Sequence, residues 1–323
     1  MRPRSGTEED RHMTLRQDRP LWLRWEHLCF LVLAFALCVL RWGSILAWIS
    51  VSRVGERASD YWVVPMISAF LCFERRHAIF CITGFSRWGF LPLVVGLSLS
   101  SPVLAALAAG NAADAISMNS LGLVLALAGA FLAFYGEVSA RRAAWPLALL
   151  LLAVPMPIEV WNRAVVVLQH GSAMVVGLLF HLVRVPFVRE GLRFDLSRVS
   201  IIIDPQCSGI RSSYALLVLA AALCYLALRS PGRRLILLAS VLPLALLKNG
   251  IRIVTLTLLA EYVNPSYLRG TLHHDGGFVF FGVALALEIL LCWALGASER
   301  KTERALGLTG GNRNPDVGSP AVS

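Results

Sequence analysis

Runs of roughly twenty apolar residues, separated by short arginine clusters, recur along most of this chain. About twenty residues of α-helix cross the hydrocarbon core of a bilayer. The pattern therefore predicts membrane spans near 27–48, 59–74, 88–109, 116–136, 143–160, 207–228, 234–261 and 277–297. The segment 160–183 (VWNRAVVVLQHGSAMVVGLLFHLV) is also apolar and helical in pattern. As a ninth span it would carry the basic Arg229–Arg234 loop and the basic C-terminal segment to the outer side. Kept outside, it leaves Arg163, Arg184, Arg189, Arg193 and Arg198 there, which a long translocated loop tolerates, and the second arrangement is the one expected. After it, residues 185–203 (VPFVREGLRFDLSRVSIII) alternate with period two around Glu190-Gly191, the signature of a hairpin. The expected fold class is thus an all-α polytopic membrane protein of about eight transmembrane helices, with a short exterior β-hairpin before the sixth.

The loop charges set the expected orientation. Arg75, Arg76 and Arg87 follow the second span, Arg141 and Arg142 the fourth, Arg229, Arg233 and Arg234 the sixth, and Arg300, Lys301 and Arg304 the eighth. With the arginine-bearing N-terminal segment, all fall on one side, and the positive-inside rule makes that side cytoplasmic. Both termini are expected there, as disordered tails over 1–25 and 298–323 around a membrane domain over 26–297. No small-residue cleavage site makes the N-terminal apolar run a signal peptide. Arg41 is expected to snorkel outward from the first span.

Composition agrees with this reading. The chain is 57% hydrophobic and 15% charged, where soluble domains hold about 45–50% and about 25%, and its mean hydropathy is +0.66. A net charge of +10 would ordinarily suggest nucleic acid, but bases clustered between apolar runs write topology instead, and no nucleic-acid partner is expected.

Three polar elements stand out near one membrane level. Of the seven cysteines, Cys29, Cys38, Cys72, Cys224 and Cys292 lie in apolar runs and Cys81 near a cytoplasmic edge, where buried small hydrophobes are expected. Cys207 differs, because it lies in Asp204-Pro205-Gln206-Cys207-Ser208-Gly209-Ile210-Arg211 at the mouth of the sixth span. A helix N-terminus favours thiolate there, and Arg211 one turn later adds to that. The seventh span carries Lys248-Asn249-Gly250-Ile251-Arg252, with Arg252 about 27 Å beyond Arg234 at 1.5 Å per residue, level with Cys207. Asn249 and Arg252, three apart, share a helix face. His273-His274-Asp275 opens the eighth span at the same level, and it lacks the further ligands and spacing of a metal site. A thiol, an imidazole to take its proton and a guanidinium to stabilise an oxyanion make a thioester-forming set. Catalytic candidates are Cys207, Arg252 and His274, with His273, Arg211 and Asn249 as further catalytic or substrate-positioning candidates. No metal or cofactor motif is seen. Glu288 and Lys248 lie inside spans, as a buried ion pair or as members of a proton path.

The motifs CSGIRSS, KNGIRI and HHDGGFVFF resemble those of the exosortase/archaeosortase family of integral-membrane cysteine transpeptidases. Residues 61–67 followed by Glu74-Arg75-Arg76, together with Val154-Pro155-Met156-Pro157 and Leu168-Gln169-His170-Gly171-Ser172-Ala173, extend the likeness over about 25–297. The resemblance implies a bacterial inner-membrane enzyme with its active site on the outer face. Its partners would be exported proteins bearing a C-terminal sorting signal: a Pro-Glu-Pro type motif, a transmembrane helix and a basic cluster. The severed chain would pass to an envelope or extracellular acceptor whose identity, whether water, an amine or a lipid, stays open. The resemblance makes Cys207 the nucleophile and Arg252 the motif arginine, with His274 or His273 the histidine. Asp204-Pro205-Gln206 departs from the family's Glu-Ala or similar residues before the cysteine, which leaves the subfamily open. A different class of reading is a non-enzymatic transporter or polysaccharide-export component using Arg252 and Glu288.

Overall fold

The computed structural model describes residues 25–53, 61–101, 103, 107, 110–268 and 277–305. The chain is an all-α polytopic membrane protein with one small sheet. Among the described residues, five helices are long and apolar enough to cross a membrane, or six if one bent pair counts as a span, so the expected eight are not all present.

The differences have local causes. The first predicted span is two helices, α1 (Trp25–Leu40) and α2 (Trp42–Arg53), bent by 70°. The second is α3 (Val63–Glu74) and the third is helical over Arg87–Leu99, most of it α4 (Phe90–Leu99). Twelve residues of helix reach about 18 Å, short of a bilayer core. Most of 102–109 lies outside the described residues. The fourth, α5 (Ala112–Arg142), is long enough to cross, with a kink at Gly136, where φ is 77°. The fifth shrinks to α6 (Ala144–Leu149) and a 3₁₀ turn, Leu150–Ala153, ahead of Pro155 and Pro157, which remove donors and disfavour helix before them. The segment expected outside is helical, as its pattern suggests, and forms α7 (Ile158–Leu182), 25 residues long and apolar enough to cross. The last three predicted spans are α8 (Ile210–Ala227), α9 (Pro231–Tyr262) and α10 (Gly277–Ala305). The last runs past Ser298, where a tail is expected.

The chain divides between Ala164 and Val165, within α7, into two compact units. In the first, α4 and α5 meet backbone to backbone. Gly89 and Gly96 face Gly129 and Gly122, each pair seven residues apart. A Cβ at Gly96 would lie 2.3 Å from Ala126 N, and one at Gly129 2.3 Å from Leu93 N. Small residues allow this approach where apolar burial drives little association. Arg41 Nη2 donates to Leu97 O at 3.1 Å, joining the bend between α1 and α2 to the end of α4. Asn111 caps α5 by accepting from Asp114 N, and Asp114 Oδ1 accepts from Ile158 N at 2.7 Å, fixing the start of α7.

In the second unit, the expected hairpin carries a third strand. β1 (Val188–Glu190), β2 (Arg193–Asp195) and β3 (Ser200–Ile202) form an antiparallel sheet in that order, turning at Gly191 with φ 62°. Phe194 pairs with Ile201 and is fully buried in a core with Ala173, Val176 and Phe180 of α7, Ile203, and Val254 of α9. On the opposite face Ser200 and Arg193 donate to Asp195, which holds that carboxyl below the usual carboxylate range. Glu261, in the last turn of α9, accepts from Arg198 N and Val199 N at 3.0 Å each and pins the β2–β3 turn. At the other end Glu299 of α10 accepts from Arg229 N and Ser230 N, joining the loop before α9 to α10.

Candidate active site

Cys207 ends a 3₁₀ turn, Pro205–Cys207, that precedes α8. Pro at its first position suits a turn that offers no donor there. Cys207 N donates to Asp204 O at 2.8 Å and Ser208 N to Pro205 O at 3.2 Å. Gly209, at φ 76°, is the N-cap of α8. The thiol is therefore not on the first helical turn; Ser208 and Gly209 stand between, and the reversal at Gly209 turns the chain into the helix.

The turn is held from two sides. From α7, Gln169 Nε2 donates to Ile203 O at 2.8 Å. From α9, Asn249 Nδ2 donates to Cys207 O at 2.8 Å and to Ser172 Oγ, again from α7, at 2.9 Å. All three side chains are buried, Asn249 at 1% exposure. α7 and α9 approach closely here: a Cβ at Gly250 would lie 2.4 Å from Val175 Cγ1.

Arg252 lies one turn beyond Asn249 on α9, half-buried, near enough that its charge acts on the Cys207 sulfur, as does that of Asp204 from within the turn. Arg211 is exposed on the first turn of α8. Lys248, 8% exposed, donates to Ser212 Oγ, and Ser212 Oγ in turn donates to Gly209 O at 3.0 Å. The expected Lys248–Glu288 pair does not form. Glu288 of α10 is fully buried and accepts from Ser240 Oγ at 3.3 Å, and Ser240 stands about 12 Å along α9 from Lys248. His273 and His274 lie outside the described residues, as does Asp275. Among the described residues, no three His, Cys, Asp or Glu side chains gather into a group able to hold a metal.

Cys207 and Asn249 thus meet, with Arg252 one turn further along α9, although some forty residues separate the first from the others. Over residues 48–290 the sequence matches the transmembrane exosortase family (Exosortase_EpsH). The chain belongs to that family. No curated protein and no solved structure matches it. The exosortase match spans α7, the sheet, α8, α9 and about the first half of α10, so every described residue of the site lies within it.

Gln169 and Ser172 are members of the site that the sequence reading left without a role. Their signal was present: two polar side chains three apart, on one face of an apolar helix.

Proposed function

We propose that this exosortase-family chain is a membrane-embedded cysteine peptidase or transpeptidase acting on C-terminal sorting signals of exported proteins. The bond from Asn249 Nδ2 to Cys207 O at 2.8 Å, one helical turn before Arg252 on α9, supports the reading. The Cys207 thiol gives its proton to a histidine, His274 or His273, and the sulfur attacks a substrate carbonyl. The resulting oxyanion is stabilised by the Arg252 guanidinium. As the C–N bond breaks, the leaving amine takes the proton and a Cys207 thioester remains. An acceptor, either water or a nucleophile of the envelope or matrix, then attacks the thioester and restores the thiol.

The substrates are exported proteins ending in a Pro-Glu-Pro type motif, a transmembrane helix and a basic cluster. The site faces outward from a bacterial inner membrane, with both termini cytoplasmic. Arg211, exposed beside the turn, suits contact with an acidic motif.

The test is co-expression with a tagged protein bearing such a tail. Cys207→Ala abolishes loss of the tail, Arg252→Ala lowers it by about a hundredfold or more, and a hydroxylamine-labile adduct forms only when Cys207 is present. Cleavage that persists without Cys207 sinks the mechanism. No cleavage by any form, with a range of tails, favours the transporter reading built on Arg252 and Glu288.

A further inference from the structure

We propose that Asn249, seated on Ser172, is a positioning residue that fixes the Cys207 turn and keeps its sulfur within reach of Arg252. The proposal goes beyond the assignment of Cys207 and Arg252, and only its cleavage arm rests on that assignment.

The geometry defines the role of each amide atom. The Nδ2 group has two hydrogens, and both are committed, to Cys207 O at 2.8 Å and Ser172 Oγ at 2.9 Å. A carbonyl accepts and cannot donate, so the amide has one usable orientation. Its Oδ1 is buried and has no hydrogen-bond partner; it faces Gly209, where a Cβ would lie 3.0 Å away. A leucine would fill the same volume without burying an unsatisfied acceptor, so packing alone does not account for asparagine. The two donors do.

Its position in the fold gives those donors leverage. Gln169 and Ser172 stand one turn apart on α7. Gln169 holds the Ile203 carbonyl directly and Ser172 holds the Cys207 carbonyl through Asn249. Both ends of the 203–207 turn are thereby tied to one helix face. Asn249 is also one turn from Arg252 on α9. One side chain of that face grips the main chain of Cys207, and the next acts on its sulfur. The Asn249 bond thus ties the Cys207 main chain to α9 one helical turn from Arg252.

The experiment uses the full chain in detergent, with Cys29, Cys38, Cys72, Cys81, Cys224 and Cys292 replaced by alanine, so that iodoacetamide reads Cys207 alone. Alkylation rates are compared for the parent, Asn249→Leu, Arg252→Gln and the double variant. Arg252→Gln is expected to change the rate about threefold or more in the parent and by less than about 1.5-fold beside Asn249→Leu, since residues coupled through one contact are non-additive. An equal Arg252→Gln effect in both backgrounds overturns the proposal. Should Asn249→Leu fail to give a monodisperse protein, Ser172→Ala takes its place. That variant leaves the Asn249–Cys207 bond but unseats the amide, and is expected to reduce the coupling by about half; full retention overturns the proposal. In cleavage assays Asn249→Leu is expected to lower kcat about thirtyfold with KM within about threefold. If no form cleaves any sorting signal, the functional reading fails and the alkylation result still decides this one.

Discussion

Gly209 lies so close to Asn249 that a Cβ on it would sit 3.0 Å from both Cγ and Oδ1 of the amide. Its φ of 76° adds a second demand, since left-handed backbone costs a non-glycine residue about 1–2 kcal/mol. Gly209→Ala is therefore expected to lower the unfolding free energy by about 1–3 kcal/mol, combining strain with a shifted amide. Because the shift falls between Cys207 and α8, cleavage should drop by about tenfold or more at temperatures where the variant is fully folded. Thermal unfolding in detergent beside a cleavage time course checks both. By contrast, Gly191→Ala, also at positive φ but with open space around it, should cost stability at the hairpin alone.

Much of this site was legible in the sequence because its members break the surrounding pattern. Asn249 and Arg252 interrupt an apolar helix at a three-residue spacing, and Cys207 sits in a Pro- and Gly-containing turn ahead of another. What the sequence could not supply is depth and direction. Arg211 is nearer to Cys207 along the chain, yet it is Asn249, forty-two residues away, that bonds the Cys207 main chain, because contact across helices depends on packing. The span count failed for a related reason. Hydropathy records whether a segment suits lipid, not whether its backbone stays helical across it. The bend after Leu40 and the prolines at 155 and 157 divide two runs whose composition alone reads as continuous. In α7 the reverse holds: the charge rule argued against a span, while the backbone forms 25 unbroken helical residues. The third strand was missed because Ser200-Ile201-Ile202 reads equally well as the end of an apolar run.

Lys248 and Glu288 make a second prediction, because each has its own hydroxyl partner, Ser212 and Ser240. A buried ion pair broken on one side costs about 3–5 kcal/mol and couples its members strongly. Here Lys248→Met and Glu288→Gln should each change stability by about 1 kcal/mol or less, and the double variant should equal their sum within about 0.5 kcal/mol. Thermal or denaturant unfolding of the four proteins decides it. A coupling energy near 2 kcal/mol would mean that the two side chains meet after all.

The packing of α4 on α5 predicts a sharp contrast between glycines. At Gly96 and Gly129 an added Cβ meets main-chain atoms at 2.3 Å, and backbone cannot rotate away as a side chain can. Gly96→Ala and Gly129→Ala are each expected to destabilise by about 1–3 kcal/mol, the cost of overpacking. Gly43 in α2 has nothing within 4 Å of its added Cβ, so Gly43→Ala should be neutral or stabilise by up to about 1 kcal/mol through helix propensity. Comparing the three melting temperatures in one detergent removes the effect of the medium. If all three behave alike, the two helices do not touch through their glycines.

Glu261 carries the last prediction. Its carboxylate takes the N–H groups of Arg198 and Val199 at 3.0 Å each, and it is 5% exposed. Hydrogen bonds to a charged group contribute about 1.5–3 kcal/mol when buried. Glu261→Ala forfeits both and leaves two main-chain donors without an acceptor at the tip of the sheet. Glu261→Gln keeps a neutral acceptor and should lose less. The β2–β3 turn contains Arg198, and Arg193 stands on β2, so trypsin reports local opening directly. Cleavage there should accelerate about tenfold or more in Glu261→Ala, the factor that corresponds to 1.4 kcal/mol of local opening, if reclosing outruns cutting. Glu261→Gln should fall between the two. Because β3 leads through Ile203 straight into the Cys207 turn, loosening at Glu261 should also slow catalysis, but less than Asn249→Leu does: Gln169 still holds Ile203 and Asn249 still holds Cys207. A Glu261→Ala enzyme as impaired as Asn249→Leu would show that the sheet, rather than the α7–α9 bracket, sets the position of the nucleophile.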